Sequence, residues 1–295
     1  MKKYWVILFS FFFLSYGYAQ RSEIGVIAGT SFYLGDLNSI PFQDAKFAGG
    51  LLYRYNFTPR FALKANVIFG KIAASDEKNH SILKDDNKNY LWDYRERGFS
   101  FSSPITEISA QFEINFFNLY NVEHKNQITP YLFGGVAFFS FNPQAVYKDK
   151  TYDLQPIGTE GQGRAERGKK YALTGFGIPF GIGFKANIGR YVCVGAEWGV
   201  RFTFTDYLDD VGGRYYTQFS DDKKLSPTTL EVVEHFADPA TQKHFHDSQR
   251  YSSKKTDWYS FAGVFISVRI GNEDRICAIK TNVKLKHKYG RRGER

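Results

Sequence analysis

Cys193-Val194-Gly195-Ala196-Glu197-Trp198-Gly199-Val200-Arg201-Phe202-Thr203-Phe204-Thr205 alternates without a break. Side chains in a strand point to opposite faces with a period of two. Val194, Ala196, Trp198, Val200, Phe202 and Phe204 therefore share one apolar face. Gly195, Glu197, Gly199, Arg201, Thr203 and Thr205 share the other, which is small or polar. A half-buried soluble strand shows the same pattern, so this segment alone decides nothing. Its repetition along the chain does.

Working outward, Gly189-Arg190 turns this strand (Tyr191–Asp206) back onto Tyr171–Ile188, where Phe176, Ile178, Phe180, Ile182 and Phe184 alternate with Gly175, Gly177, Gly181, Gly183 and Lys185. Upstream, the same reading finds Glu23–Leu34, Ala45–Phe57, Arg60–Ile72, Ile105–Phe117 and Thr129–Phe141, and downstream Asp257–Ile270. Thr129–Phe141 is so aromatic that its inward face stays ambiguous. Phe32 falls with Ile24, Val26 and Ala28 on an apolar face. The connections alternate in length, with long ones over Gly35–Asp44, Ala73–Pro104, Asn142–Lys170 and Tyr207–Thr256. Outer-membrane barrels place short turns on the periplasmic side and long loops outside, with an even number of strands. The expectation is an all-β fold: a closed antiparallel transmembrane β-barrel of about eight strands over residues 20–270.

Composition agrees with that class. The 295 residues include 29 Phe, 20 Tyr and four Trp, enough for interfacial girdles. Mean hydropathy is negative, as it is when half of each strand faces a lumen. Residues 1–19 read as a secretory signal peptide: Lys2 and Lys3, an apolar run from Trp5 to Leu14, and Gly17-Tyr18-Ala19 as a cleavage site. That run is short of the ~20 residues a membrane helix needs. The expected location is the bacterial outer membrane, with outer-membrane lipid as the surroundings.

Seven charged residues point inward in this register: Lys64, Glu107, Glu113, Lys185, Glu197, Arg201 and Arg269. An eight-stranded barrel is just wide enough to be filled by side chains, so these charges should pair as a plug rather than line a wide pore. Two cysteines are too few for a disulfide framework, although Cys193 and Cys277 could pair on the periplasmic side. The formal charge of +9 is partly local: residues 271–295 read as a basic periplasmic tail, in which Lys280 to Arg295 carries seven Lys or Arg against one acid, Glu294. Lys284, Lys286, Lys288, Arg291 and Arg292 are its candidate contacts with an acidic partner; nucleic acid is not expected for an exported chain.

Chemistry is sparse. His80, His235, His244 and His246 fall in loops and His124 in a turn. His246, Asp247 and Ser248 supply the residue types of a nucleophilic triad, but consecutive loop residues rarely converge on one point. No cofactor fingerprint and no zinc spacing occur, and no cofactor is expected. Asp206, Asp209 and Asp210 could gather a calcium ion, since calcium takes several oxygen ligands. Equally, Asp36, Asn38, Asp209 and Asp210 suit turns, where their side chains bond nearby amides.

Several stretches share a family likeness when taken together: Glu23-Ile24-Gly25, Ser31 to Asn38, Arg54-Tyr55-Asn56-Phe57 with Pro59-Arg60, and Phe99-Ser100-Phe101 leading to Glu107. Further on come Thr129-Pro130-Tyr131, Phe141-Asn142-Pro143, Gly158 to Gly163, Ile178 to Gly183, Arg201 to Val211 and Asp257-Trp258-Tyr259. In this order they resemble the PorG-like outer-membrane proteins of the type IX secretion system. The resemblance implies a barrel without enzymatic activity, a periplasmic ring of PorK- and PorN-like partners, and a role in protein export, with gliding where present. Two other readings stay open: a lipid-modifying enzyme using the His246 and Ser248 region, and an adhesion or ligand-binding barrel acting through its outer loops.

Overall fold

The computed structural model describes residues 22–78, 82–84, 90–117, 128–164, 166–189, 191–221, 225–250 and 256–270. Eight of its strands form the wall: β1 (Ser22–Leu34), β2 (Lys46–Asn56), β3 (Phe61–Ser75), β4 (Ser100–Asn115), β5 (Ile128–Phe141), β6 (Thr174–Ile188), β7 (Val192–Thr203) and β8 (Trp258–Ile270). Each pairs antiparallel with its sequence neighbours. β1 also pairs with β8 from Ser22↔Ile270 to Leu34↔Trp258, and that pairing closes the barrel. No helix among the described residues is long and apolar enough to cross a membrane.

The alternation sets the two faces. On β6 and β7, Phe176, Phe180, Ile182, Phe184 and Trp198 are exposed outward, while Glu197, Arg201 and Thr203 are buried inward. Around the rest of the wall Ile24, Leu51, Phe69, Ile108, Val136 and Val264 are exposed too. A closed sheet with an apolar exterior and a polar interior is the architecture of bacterial outer-membrane barrels. β5 resolves as Tyr131, Phe133 and Phe139 inward, with Leu132, Val136 and Phe138 outward. Its inward rings lie opposite glycines of β6: Tyr131↔Gly183, Phe133↔Gly181 and Phe139↔Gly175. A Cβ at Gly183 would come within 2.4 Å of the Tyr131 ring, so the β6 glycines make room for the β5 aromatics.

Two features depart from the sequence reading. β3 and β4 run on to Ser75 and back to Ser100, past the expected Ile72 and Ile105. About nine to eleven tilted residues span a bilayer, so these ends stand above the apolar band and lack its alternation. Phe32 sits on the outer face but is fully covered, because the β1–β2 connection folds down the wall and lays Phe42 on it (4.6 Å between ring centroids). Phe42 also lies 6.0 Å from Trp198 of β7.

The long connections build a packed cap at one end. Leu37, Phe99, Phe101, Leu154, Leu208, Val211, Tyr215 and Phe236 form one buried cluster with Tyr33 and Tyr259 from the strand tops. The helix Pro227–Ala237 supplies Phe236; it starts at Ser226, whose Oγ accepts from the Thr229 amide at 3.2 Å, with proline in its first turn.

Candidate functional site

Two buried polar clusters occupy the barrel axis, one in the lumen and one at the mouth under the cap.

In the lumen all seven charges expected there face inward, and six are fully buried. Glu113 receives Arg54 Nε at 2.9 Å, Lys185 Nζ at 2.5 Å and Lys64 Nζ at 3.4 Å. Lys64 also reaches Glu197 at 2.5 Å, whose carboxylate accepts from the Tyr131 hydroxyl at 2.6 Å. Nearer the mouth, Arg201 holds Glu107 through Nε (2.9 Å) and Nη2 (3.3 Å), and the Tyr259 hydroxyl donates to the same carboxylate. At the short-turn end Arg269 lies 3.8 Å from Glu23 and donates to Asn187. Arg54 and Glu23 were missed from the sequence. Both are buried and joined at 2.8 Å, and both stand on the polar side of an alternating strand, Arg54 between Tyr53 and Tyr55. Five cations thus face four carboxylates (Arg54, Lys64, Lys185, Arg201 and Arg269 against Glu23, Glu107, Glu113 and Glu197). Cysteine 193 is buried among them on the inner face.

At the mouth the balance reverses. The Tyr33 hydroxyl, at the top of β1, lies 2.7 Å from Asp209 Oδ2 and 2.5 Å from Asp257 Oδ1, and accepts from the Asp36 amide at 2.7 Å. One phenolic hydrogen cannot serve two carboxylates at once. Asp257 Oδ2 accepts from the Leu208 amide and Asp209 Oδ1 from the Val211 amide, both at 2.9 Å. Asp36 is 3% exposed, and neither of its carboxylate oxygens has a hydrogen-bond partner. Carboxylate oxygens of Asp36, Asp206 and Asp257 all lie within 4.8 Å of one another. Burial, then the neighbouring Asp209, Asp257 and Asp206, pushes the Asp36 carboxyl far above the usual carboxylate range. Asp257 moves the same way through burial and then Asp209, and burial pushes Asp206 up to about 7. The nearby Arg97 is engaged with Asp76 at 2.9 and 2.7 Å, donates to the Asp36 backbone carbonyl, and pulls the Asp36 carboxyl in the opposite direction.

Of the three aspartates singled out for calcium, Asp206 and Asp209 lie in this cluster. Asp210 does not: its carboxylate accepts from Thr159 (2.5 Å) and Tyr171 (2.6 Å), one layer into the cap. Beside it, Arg250 binds Thr159, Glu160 and the Asp210 carbonyl, with its guanidinium over the Phe99 ring at 4.4 Å. The turn role expected of Asn38 and Asp209 is visible, with Asn38 Oδ1 accepting from the Ile40 amide at 2.9 Å. Asp36 and Asp257 complete the cluster and were not read as ligands. Each follows or precedes a strand by one or two residues, the only signal the sequence offered.

The triad-like residues do not assemble. The Ser248 hydroxyl donates to the Phe245 carbonyl at 2.6 Å, His246 Nδ1 accepts from the Thr217 amide, and Asp247 is bound by Arg167. His244 lies 2.9 Å from Asp238 and stacks on Tyr215. The cap surface carries a polar cleft of about 370 Å³ between Glu160, Arg167, Tyr207 and Arg214. His80, His124, Cys277, residues 1–19 with the expected signal peptide, and the tail residues Lys284, Lys286, Lys288, Arg291 and Arg292 lie outside the described residues.

The profile of a domain of unknown function, DUF6089, matches residues 2–219, which takes in β1 to β7 and most of the cap motifs. The chain belongs to the DUF6089 family. No curated protein matches this DUF6089 chain. Among solved structures it is similar to the N-terminal β-barrel domain of Pseudomonas aeruginosa OprF (10% identity, TM-score 0.36, 84% of this chain and 98% of that one). It is similar also to Neisserial surface protein A (7% identity, TM-score 0.41, 84% and 96%). A third is Ail of Yersinia pestis, solved with the heparin analogue sucrose octasulfate (9% identity, TM-score 0.37, 84% and 97%). Likenesses this distant carry no argument about function, and the barrel rests on its own strand pairing.

Proposed function

We propose that this barrel is a non-enzymatic outer-membrane component of a type IX protein secretion machinery, working through protein contacts rather than conduction or catalysis. One observation carries the reading. The stretches that bear the resemblance to PorG-like proteins lie far apart in the chain, yet Phe99 and Phe101, Thr159 and Glu160, and Leu208 to Val211 at the end of the longest match meet in one buried cap around Arg250 and Tyr33. A motif set that packs into one unit describes a shared structure better than scattered matches do. The filled lumen supports a role other than passage of solute. In this reading the short-turn end faces the periplasm, and the basic tail and turns there meet a PorK- and PorN-like ring.

Deletion of the gene tests this directly. Export of several cargo proteins with C-terminal secretion signals should fail, and the tagged barrel should co-purify with ring proteins. Normal export on deletion would overturn the reading. Altered lipid acyl chains with export intact would favour the lipid-modifying alternative instead. The polar cleft beside Glu160 and Arg214 gives the ligand-binding alternative its only specific support. Loss of surface binding on Arg167→Ala and Arg214→Ala, with export intact, would favour it.

A further inference from the structure

We propose that Asp36, Asp206 and Asp257 form a calcium site at the barrel mouth. The site is independent of the secretion reading.

Acidic residues clustering on a surface would mean little, but these are not on the surface. Asp36 and Asp257 are buried, at 3% and 0% exposure, and Asp206 is half-buried. A buried carboxylate ordinarily has its oxygens satisfied, because burial strips their hydration and an unpaired oxygen gets nothing in return. Both Asp36 oxygens and Asp206 Oδ1 break that rule. Since Asp36 contributes an oxygen to the 4.8 Å grouping, its unpaired carboxylate points into the cluster and not into a void elsewhere. Two oxygens on opposite sides of a calcium ion at ~2.4 Å lie about 4.8 Å apart, so these spacings suit one shared ion.

The surroundings keep the centre clear. A Cβ on Gly35 would come within 2.2 Å of Tyr33 Oη and 2.3 Å of Asp257 Oδ1, so only glycine leaves the carboxylates their approach. Amides of Leu208 and Val211 fix Asp257 and Asp209 from behind. The donor set identifies the ion by class. Three carboxylates with no His or Cys among the grouped residues make a hard oxygen site, which suits calcium rather than zinc or copper. Three ligands from the protein leave room for water to complete the roughly six to eight oxygens calcium takes, and magnesium's stricter octahedron fits a semi-rigid buried set less well. The three ligands come from β1's exit, β7's exit and β8's entry, so an ion here would tie the two strands flanking the β1–β8 closure to the β7–β8 loop.

The test uses the full mature chain purified in detergent, stripped with chelator and titrated with CaCl₂ near neutral pH by calorimetry, with thermal unfolding followed by circular dichroism. One calcium per chain should bind with an affinity in the ~10⁻⁴–10⁻³ M range of extracellular modules, and Tm should be higher in calcium than in chelator. Asp36→Asn keeps the shape and removes the charge; it should weaken binding at least tenfold and erase the Tm difference. Asp206→Asn, at the half-buried position least able to disturb folding, should do the same. Asp210→Asn, outside the set, should retain the full calcium response. No binding heat together with a Tm indifferent to calcium overturns the site. So does a calcium response that survives in both Asp36→Asn and Asp206→Asn. An equal response to MgCl₂ overturns the assignment to calcium.

Discussion

In the lumen, Glu113 sits among Arg54, Lys64 and Lys185; at the mouth, Asp36 sits among Asp206, Asp209 and Asp257. Both carboxylates are buried within one barrel. The first is neutralised by side chains that β2, β3 and β6 deliver into the lumen at a fixed register. The second has no such neighbours, since loop ends bring acids together and the available arginine, Arg97, is engaged with Asp76. A barrel this narrow can neutralise itself where strands face one another, and depends on protons or an ion from solvent where only loops meet.

The largest expected effect comes from breaking the self-neutralised side. Glu113→Gln leaves three buried cations without their shared partner and should cost ~3–5 kcal/mol. Urea unfolding in lipid vesicles measures it. A cost below ~1 kcal/mol would mean that solvent already screens the lumen, and the contrast with the mouth would collapse.

Next is the wall that makes the lumen a low-dielectric space. Val264 lies at the middle of β8 and is 63% exposed. Val264→Arg should cost ~2–4 kcal/mol in a bilayer, whereas Phe204→Arg, just past the end of β7, should cost only ~0–1 kcal/mol. Equal costs at the two positions would misplace the apolar band and with it the boundary between lumen and mouth.

The cap gives the comparison a pH axis. Burial pushes the Asp210 carboxyl up to about 6, with Arg250, Thr159 and Tyr171 pulling the other way. Its folded pKa therefore exceeds the ordinary value of 3.8, and the folded state holds more protons between them. Stability contributed by the protonated form is full below pH ~4 and is lost as pH rises through about 6, a fall of roughly 3 kcal/mol. Asp210→Asn should flatten that slope. If unfolding of the wild type in chelator shows no decline over this window, Asp210 is better solvated than its packing implies.

The two regions also differ in how far they can be read from sequence. β7 states its own inward residues, because a period of two needs no partner to be seen, and Glu197 and Arg201 follow from Trp198 and Phe202 alone. Arg54, between Tyr53 and Tyr55, and Glu23, beside Ile24, obey the same rule. The mouth has no period. Asp36 and Asp257 come from opposite ends of the barrel sequence and meet only because β1 pairs with β8, while Asp210 looks like their companion yet turns to Thr159. Closure is a property of the whole sheet, so a site built on it is legible only once the sheet is closed.

The smallest effect is the sharpest discriminator. In chelator near neutral pH the Asp36 carboxyl, pushed far above the usual range, is protonated, so Asp36→Asn exchanges one neutral group for another and should change stability by no more than ~1 kcal/mol. The corresponding change in the lumen, Glu113→Gln, is the same substitution type at the same burial but removes a paired charge. Adding calcium should reverse only the mouth: the wild type gains stability, the Asp36→Asn chain does not, and the Glu113→Gln deficit is unchanged. Paired unfolding curves of the three chains, with and without calcium, resolve all of these. A destabilised Asp36→Asn chain in chelator would mean that the carboxylate already has a partner within the fold, and the mouth would then be a second self-neutralised cluster like the lumen.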